Sequence, residues 1–595
     1  MITAIRRAFV LLDRADRWRW AALVPLVAIV AVLEAAGAAA VVLLVRVLAD
    51  PGSALRLPRA LTWLPRMDDP QSAALVMTVA VVVFYLVRNF VIIAIEFAEE
   101  HVVQRSASRI AIGLLTRYLS APYPFHLRNP STALIQRAST SVEQAVEIML
   151  AALVHFASEL LVTAGLLVLL SVAAPGATLV AAATIAVLLL APLRLTRRLY
   201  LRWGEEERAI SERLLADLHQ GLDTIKEILV SGRQEFFARR FTSDRRRLER
   251  FKVRRGSAGS AVRTGIETIF ICAMMLAVAV MTTSGTPGRD VVAVLGLFAY
   301  AGFRIVPAAN RIILHVNSMR FAAAFVEPMA VDWQALDPRG ALAGPSAAWP
   351  RLSTAIEFSD VSYRYDDGRP AALSGIQLTI ARGESVGIVG PTGAGKTTLV
   401  DVLLGLLPPT SGRVLVDGRD VHAALPSWQS HLGYVPQQVM LVDDTLRRNI
   451  AFGVDDAGID EARVLRVVRV ARLDALVASL PQGLEARVGE RGARLSGGER
   501  QRIAIARALY RDPDVLVFDE ATSALDHQTE REIADAIDAL RGERTVVVIA
   551  HRMATVRTCD RLVVLEAGRI VAQGRYDELL GASDLFRTLT AGPGA

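Results

Sequence analysis

With 595 residues, 52% of them apolar, a net charge of +7 and a mean hydropathy of +0.36, the chain has room for more than one domain and is too apolar for a soluble enzyme of its length. Its two cysteines, Cys272 in an apolar run and Cys559 near the C-terminus, make neither a disulfide framework nor a metal cluster and read as packing residues. The basic residues cluster between apolar runs instead of beside a DNA- or RNA-reading motif, so no nucleic-acid partner is expected, and a positive-inside membrane bias accounts for the charge.

Residues 1–20 are basic and amphipathic, and the apolar stretch after them is longer than a signal-peptide core and lacks a cleavage site, so it reads as retained. Apolar runs at about 21–48, 73–96, 146–172, 177–193, 262–282 and 291–320 are long enough, or nearly so, to cross roughly 30 Å of hydrocarbon as helices. Six spans put both ends of this part on one side of the membrane. Arg6, Arg7, Arg14, Arg17 and Arg19 precede the first span, and Arg105, Arg109, Arg117, Arg194, Arg197, Arg198, Arg239, Arg240 and Arg245 to Arg247 fall in the second and fourth connections. These segments are therefore expected to be cytoplasmic, in a multi-pass membrane protein.

The two inside connections carry Glu, Arg and Leu at helical spacing, which predicts that the membrane helices continue into the cytoplasm. Breakers at Pro122 to Pro130 and Gly221 to Gly232 supply a turn at the far end of each. The outside stretch Ala54 to Met67 reads equally as a short surface helix or as a loop. An all-α, six-helix transmembrane domain is thus expected over residues 1–329 and a Pro-, Gly- and Ala-rich linker over 330–351. Residues 352–595, where strands, Gly-rich turns and helices alternate, read as an α/β phosphate-loop domain.

In that last part the strand-like run Ser385 to Val389 leads into Gly390-Pro-Thr392-Gly393-Ala-Gly395-Lys396-Thr397-Thr398. Glycines at these positions let backbone N–H groups close around phosphates. Lys396 is placed to reach the β and γ phosphates of ATP, Thr397 to ligate Mg²⁺, and the helix that starts there adds its positive end. Lys226, Lys252 and Lys396 are the only lysines in a chain whose other basic positions are arginines. A compact ammonium kept at this site suits phosphates. Downstream, Val515 to Phe518 reads as a buried strand ending in Asp519-Glu520, the first carboxylate placed to hold Mg²⁺ and the second to act as general base on water.

Between these lies Leu495-Ser496-Gly497-Gly498-Glu499-Arg500-Gln501, an anion-binding helix start by its chemistry. This heptad resembles the signature motif of the ATP-binding cassette (ABC) superfamily, and the resemblance covers essentially the whole chain. It implies that Ser496, Gly497 and Gly498 contact ATP held by the phosphate loop of a second subunit, here a second copy of the chain. It further implies that Tyr365 stacks on adenine, that Gln437 senses Mg²⁺ and the γ-phosphate, that His551 is the switch histidine, and that Ser523 to Asp526 crosses the dimer interface. Val488-Gly489-Glu490-Arg491-Gly492 resembles a segment of the exporter-type (type IV) fold, whose inside connections end in coupling helices that dock on the cassettes.

Within the membrane part, Pro122 to Asn129, Ile225 to Arg233 and Phe303 to Ile312 resemble segments of bacterial lipid-linked oligosaccharide flippases. The expected substrate is accordingly amphipathic, lipid-linked and anionic, with export of peptides or hydrophobic drugs, and an ATP-gated channel or regulatory subunit, as alternatives. Arg88 and Arg304 fall within apolar spans, Arg263 at the inner start of one and Arg311 on nearly the same helix face as Arg304, and a charge near the bilayer centre costs about 2.5 to 3.5 kcal/mol. They either line a wet cavity that takes the anionic headgroup or are neutralised by Glu34, Glu96, Glu159 or Glu267 or by snorkelling.

Overall fold

The computed structural model describes residues 1–49, 70–173, 175–284, 288–336, 349–366, 368, 370–520, 542–550 and 553–590. The chain forms two compact units, Met1–Ala121 with His126–Pro338, and Pro122–Phe125 with Arg339–Ala595.

The described residues of the first unit are helical apart from short turns. Helix α1 (Ile2–Leu11) buries Ala4, Ala8 and Leu11, a stripe at helical spacing. Six long helices follow: α2 (Arg14–Ala49), α3 (Pro70–Leu119), α7 (Ala151–Ala173), α8 (Pro175–Asp223), α10 (Gln234–Thr283) and α11 (Gly288–Ala335), with the short α4 (Tyr123–Arg128), α5 (Ser131–Ala138), α6 (Thr140–Glu143) and α9 (Ile225–Ser231) between them. Helices α3 and α10 each have 50 residues, so each extends about 75 Å, more than twice the hydrocarbon thickness. Their polar halves therefore continue beyond a bilayer, as the helical spacing of the connections predicts. Among the described residues four stretches are long and apolar enough to cross a membrane: Arg14–Val41, Leu75–Leu119, Ser131–Gly165 and Gln234–Thr283.

Both breaker regions end in short helices, α4 and α9, and α9 closes on Gly232, whose φ of 64° is the left-handed conformation that glycine adopts without strain. The turn from α6 into α7 widens to π-helical geometry over Gln144–Leu150, a feature that periodicity does not reveal. The stretch from Ala54 to Met67 lies outside the described residues.

Helix α11 runs past the expected start of the linker at Ala330, ending at Ala335. Tertiary contacts hold it. The Tyr118 hydroxyl donates to Asp332 at 2.7 Å, Arg137 pairs with Asp332 at 2.9 Å, and the Arg117 guanidinium lies 3.4 Å from the centre of the Trp333 ring. Helices α8 and α11 approach closely because Gly204 has no side chain: a Cβ there would collide with the Phe321 carbonyl.

The second unit is built on two sheets. Strands β1 (Ala355–Tyr363), β2 (Leu373–Ala381), β4 (Ser411–Val416) and β5 (Arg419–Asp420) form an antiparallel sheet in the order β2-β1-β4-β5. Strands β3 (Ser385–Val389), β6 (Leu432–Val435), β7 (Val515–Asp519), β8 (Thr545–Ile549), β9 (Arg561–Glu566) and β10 (Arg569–Gly574) form the second, in the order β10-β9-β3-β8-β7-β6. All its pairings are parallel except β9 with β10. Every residue of β3, β7 and β8 is buried, the pattern of parallel strands covered on both faces. Parallel pairing brings the C-terminal ends of β3 and β7 to one edge, where ligands bind in open α/β sheets.

Candidate functional site

At that edge β3 ends in the Gly-rich loop and α12 (Lys396–Leu403) begins. Gly393 and Gly395 have φ of 83° and 102°, left-handed values that ordinary side chains disfavour. A Cβ on Gly395 would also sit 2.6 Å from the Ala372 carbonyl, and one on Gly390 would strike the Leu565 carbonyl. The loop is thus a tight cradle of backbone. Lys396 is 6% exposed, and its Nζ donates to the Gly390 and Pro391 carbonyls at 2.8 and 3.1 Å. Burial lowers the pKa of its ammonium, and the facing Glu520 and Asp519 oppose that shift.

Two carboxylates arrive from β7. Asp519 is the last residue of the strand, is 7% exposed and accepts a hydrogen bond from the Tyr434 hydroxyl at 3.2 Å. Glu520, the next residue, has φ of 47° and donates its N–H to the Ile549 carbonyl at 3.0 Å. A non-glycine residue held left-handed costs about 1 to 3 kcal/mol, and such strain concentrates at functional sites. The amide of Gln437 donates to the Glu520 carboxylate. The Tyr365 hydroxyl meets that of Thr398 at 3.1 Å, and its ring stands edge-on to Tyr363 with centroids 5.0 Å apart.

The structure therefore gathers Lys396, Gln437, Asp519 and Glu520 at one edge, beside the loop that carries Gly390, Thr392, Gly393 and Gly395. Thr397 and Thr398 sit in the first turn of α12. Ser496 behaves differently. It caps the helix α13 (Gly497–Tyr510) in a capping box, its hydroxyl and N–H both engaged by the Glu499 carboxylate at 2.8 and 2.7 Å. Its hydrogen bonds close on its own helix start, where Gly497 and Gly498 follow, and not on the phosphate loop. His551 and Ser523 to Asp526 lie outside the described residues.

The oxygen donors of Thr397, Gln437 and Asp519 are the hard ligands that suit Mg²⁺, and a glycine loop whose backbone at Gly390 and Gly395 packs tightly against neighbouring carbonyls suits phosphate oxygens. The residues present fit a metal–nucleotide pair.

Two functional candidates were not evident from motifs. Tyr434, three residues before Gln437, meets Asp519 only because β6 pairs with β7. Asp401 lies on α12, with its carboxyl raised from the ordinary 3.8 to about 6 by burial and then by Asp519. The folded protein holds this proton more tightly than the unfolded chain. The stabilising contribution is therefore full below about pH 4 and is lost as pH rises to about 6. Asp401→Asn should raise the thermal stability of the detergent-solubilised, nucleotide-free protein at pH 7 by about 1 kcal/mol after allowance for solvent screening, and leave it unchanged at pH 4. A gap of equal size at both pH values would contradict an origin in the ionised carboxylate.

In the membrane unit, a cavity of about 600 Å³ is lined by Tyr200, Arg255, Arg263, Asn310, Arg311 and Asn317 among others. Arg263 and Arg311 thus share one cavity, each beside a carboxylate: Arg263 Nε lies 3.6 Å from Glu267, and Arg311 Nη2 donates to Glu159 at 3.1 Å. Arg255, which sequence patterning does not single out, joins them and pairs with Glu207 at 2.9 Å. Arg88 is also paired, with Glu34 of α2, but its side chain is 12% exposed and does not line this cavity. The side chain of Arg304 lies outside the described residues.

A membrane unit of long helices joined to a phosphate-loop unit defines an ABC transporter. A family model for the ABC transporter transmembrane region matches residues 26–301, and a family model for ABC transporters matches residues 373–523. The chain belongs to the ABC transporter family. Among its relatives are an ATP-dependent lipid A-core flippase of Cupriavidus metallidurans, 32% identical over 490 residues that cover 81% of each chain, and one of Chromobacterium violaceum, 31% identical over 563 residues that cover 92% of this chain and 91% of the relative. A solved structure of a bacterial Atm1-family ABC exporter with ATP bound matches with a TM-score of 0.76 and 26% identity, covering 98% of this chain and 100% of that one. The protein is a multi-pass membrane ATPase coupled to transmembrane transport, with the half-transporter architecture of exporters.

Proposed function

We propose that two copies of the chain form a transporter that uses ATP to flip an amphipathic, lipid-linked anionic substrate across the bacterial inner membrane, with the N-terminus and the ATPase unit in the cytoplasm. The observation that carries the substrate class is the cavity with three arginines in the membrane unit. Guanidinium forks bind phosphate in bidentate fashion, and a cavity that also exposes apolar side chains suits a lipid-borne anion better than a peptide. The lipid A-core flippases among the relatives point to the same class. A lipid-linked oligosaccharide belongs to it too.

In this reading Lys396 and the loop amides bind the phosphates, Thr397, Gln437 and Asp519 hold Mg²⁺, and Tyr365 packs on adenine. Bound MgATP supplies the phosphoanhydride whose hydrolysis drives transport. Glu520, held by the Gln437 amide, accepts the proton of the attacking water. His551 acts as the switch beside the γ-phosphate. Ser496, Gly497 and Gly498 complete the site of the partner copy, since the hydroxyl of Ser496 is engaged at its own helix start. The transmembrane domain is residues 1–329 and the cassette residues 352–595, with 330–351 as the join, a division that the unit boundary after Pro338 supports.

Removing the arginines tests the substrate class. Arg263→Ala with Arg311→Ala should weaken activation of the reconstituted ATPase by anionic glycolipid roughly 10-fold or more, because charge-assisted hydrogen bonds contribute about 1.5 to 3 kcal/mol each. The KM for ATP should not shift. Equal activation of parent and variant would reject the cavity as the headgroup site. Activation by a neutral lipid or a drug in place of the anionic glycolipid would reject the substrate class.

A further inference from the structure

The edge strand β6 meets the carboxylates of β7 twice. The two strands pair in parallel with Tyr434 opposite Val517 and Val435 opposite Phe518. Side chains alternate faces along a strand, so Tyr434, Val517 and Asp519 lie on one face of the sheet. From its place beside Val517 the Tyr434 ring reaches along the strand, and its hydroxyl donates to Asp519 Oδ2 at 3.2 Å. Three residues later, past the end of β6, Gln437 donates to Glu520. One strand exit therefore grips both carboxylates, the phenol holding one and the amide the other.

The grip on Asp519 has a physical task. Asp401 on α12 sets a second carboxyl against Asp519, and Tyr434 lies within the field of both. A carboxylate beside another negative group turns away from it unless a donor fixes its plane. The Tyr434 phenol is such a donor. The hydrogen bond at Oδ2 fixes the plane in which the whole carboxylate lies. Outer-layer hydrogen bonds of this kind orient ligands, and their removal weakens metal binding.

We infer that Tyr434 is a positioning residue that orients the metal-holding carboxylate of Asp519, so that metal affinity and nucleotide affinity are set by separate groups. The inference rests on the reading of Asp519 as a metal ligand. It makes β6 a two-point clip: Gln437 aligns the carboxylate that faces water, and Tyr434 aligns the one that faces the cation. Loss of the hydroxyl alone leaves the phosphate loop, Lys396 and the adenine contact intact.

The experiment uses Tyr434→Phe in the full-length, detergent-solubilised protein, with Mn²⁺ as the probe, read by electron paramagnetic resonance in the presence of a non-hydrolysable ATP analogue. Binding of the same analogue in EDTA reports on folding and on the nucleotide contacts. Mn²⁺ affinity should fall about 10-fold while analogue binding in EDTA stays as in the parent. The ATPase rate at limiting Mg²⁺ should fall and recover as Mg²⁺ is raised, a metal-dependent split that a packing defect would not produce. Mn²⁺ affinity within twofold of the parent would overturn the inference. An equal loss of metal and EDTA-form binding would overturn it as well, since the hydroxyl would then act through packing. Asp519→Asn separates the two levels. If that variant binds Mn²⁺ like the parent, the reading of Asp519 is wrong and the inference falls with it. If it loses Mn²⁺ while Tyr434→Phe does not, only the inference falls.

Discussion

Lys396→Ala should abolish ATP turnover, with nucleotide affinity reduced about 100-fold and the hydrolysis rate at saturating ATP reduced by a further ~100-fold or more. Lys396 is 6% exposed as a residue and its ammonium is bonded to two loop carbonyls, so the protein holds a partly desolvated positive charge beside the loop. That arrangement is unfavourable by itself, since burial lowers the Lys396 pKa, and it is offset in part by Glu520 and Asp519 across the site. Polyphosphate is the ligand that best compensates a buried cation, and the effect is larger where charge builds up during phosphoryl transfer than in the bound state. Labelled-ATP binding and phosphate release on the purified protein measure both effects. A variant that retains more than a tenth of the parental turnover would exclude Lys396 from the site.

Glu520→Gln should separate binding from hydrolysis. The replacement keeps the size of the side chain and can still meet the Gln437 amide, but it removes the proton acceptor. Hydrolysis should fall about 10² to 10⁴-fold, the usual range for loss of a general base, while ATP binding persists. Net transport in vesicles should stop with it. The backbone at Glu520, with φ of 47°, is the same in the variant, so the strain that aims this side chain is not relieved. Retention of labelled ATP by the variant, measured after rapid gel filtration, reads the first effect and phosphate release the second. Turnover within tenfold of the parent would place the base elsewhere. Vesicles that transported substrate at the parental rate without hydrolysis would favour an ATP-gated channel.

Local patterns made much of the architecture legible. An apolar run, a Gly-rich turn and a helical stretch in succession gave β3, the loop and α12, because each element is specified by residues adjacent in the chain. The long extensions of α3 and α10 were legible for the same reason, their helical spacing being local. The end of α11 was not. Composition around Ala330 suggests a linker, but Asp332 and Trp333 are held by Tyr118, Arg137 and Arg117, residues that reach them only through packing.

The same division runs through the site. The phosphate loop and the Asp519-Glu520 pair stand out in the sequence because their chemistry requires particular residues at fixed spacing. The sequence also supplied the list of arginines exposed to the membrane problem. Only the tertiary structure decided that Arg88 pairs with Glu34 away from the cavity while Arg263 and Arg311, beside Glu267 and Glu159, both line it, because the surroundings of a helix side chain depend on how neighbouring helices are rotated. It decided likewise that Tyr434 meets Asp519, 85 residues away, since strand register and not sequence spacing sets that contact.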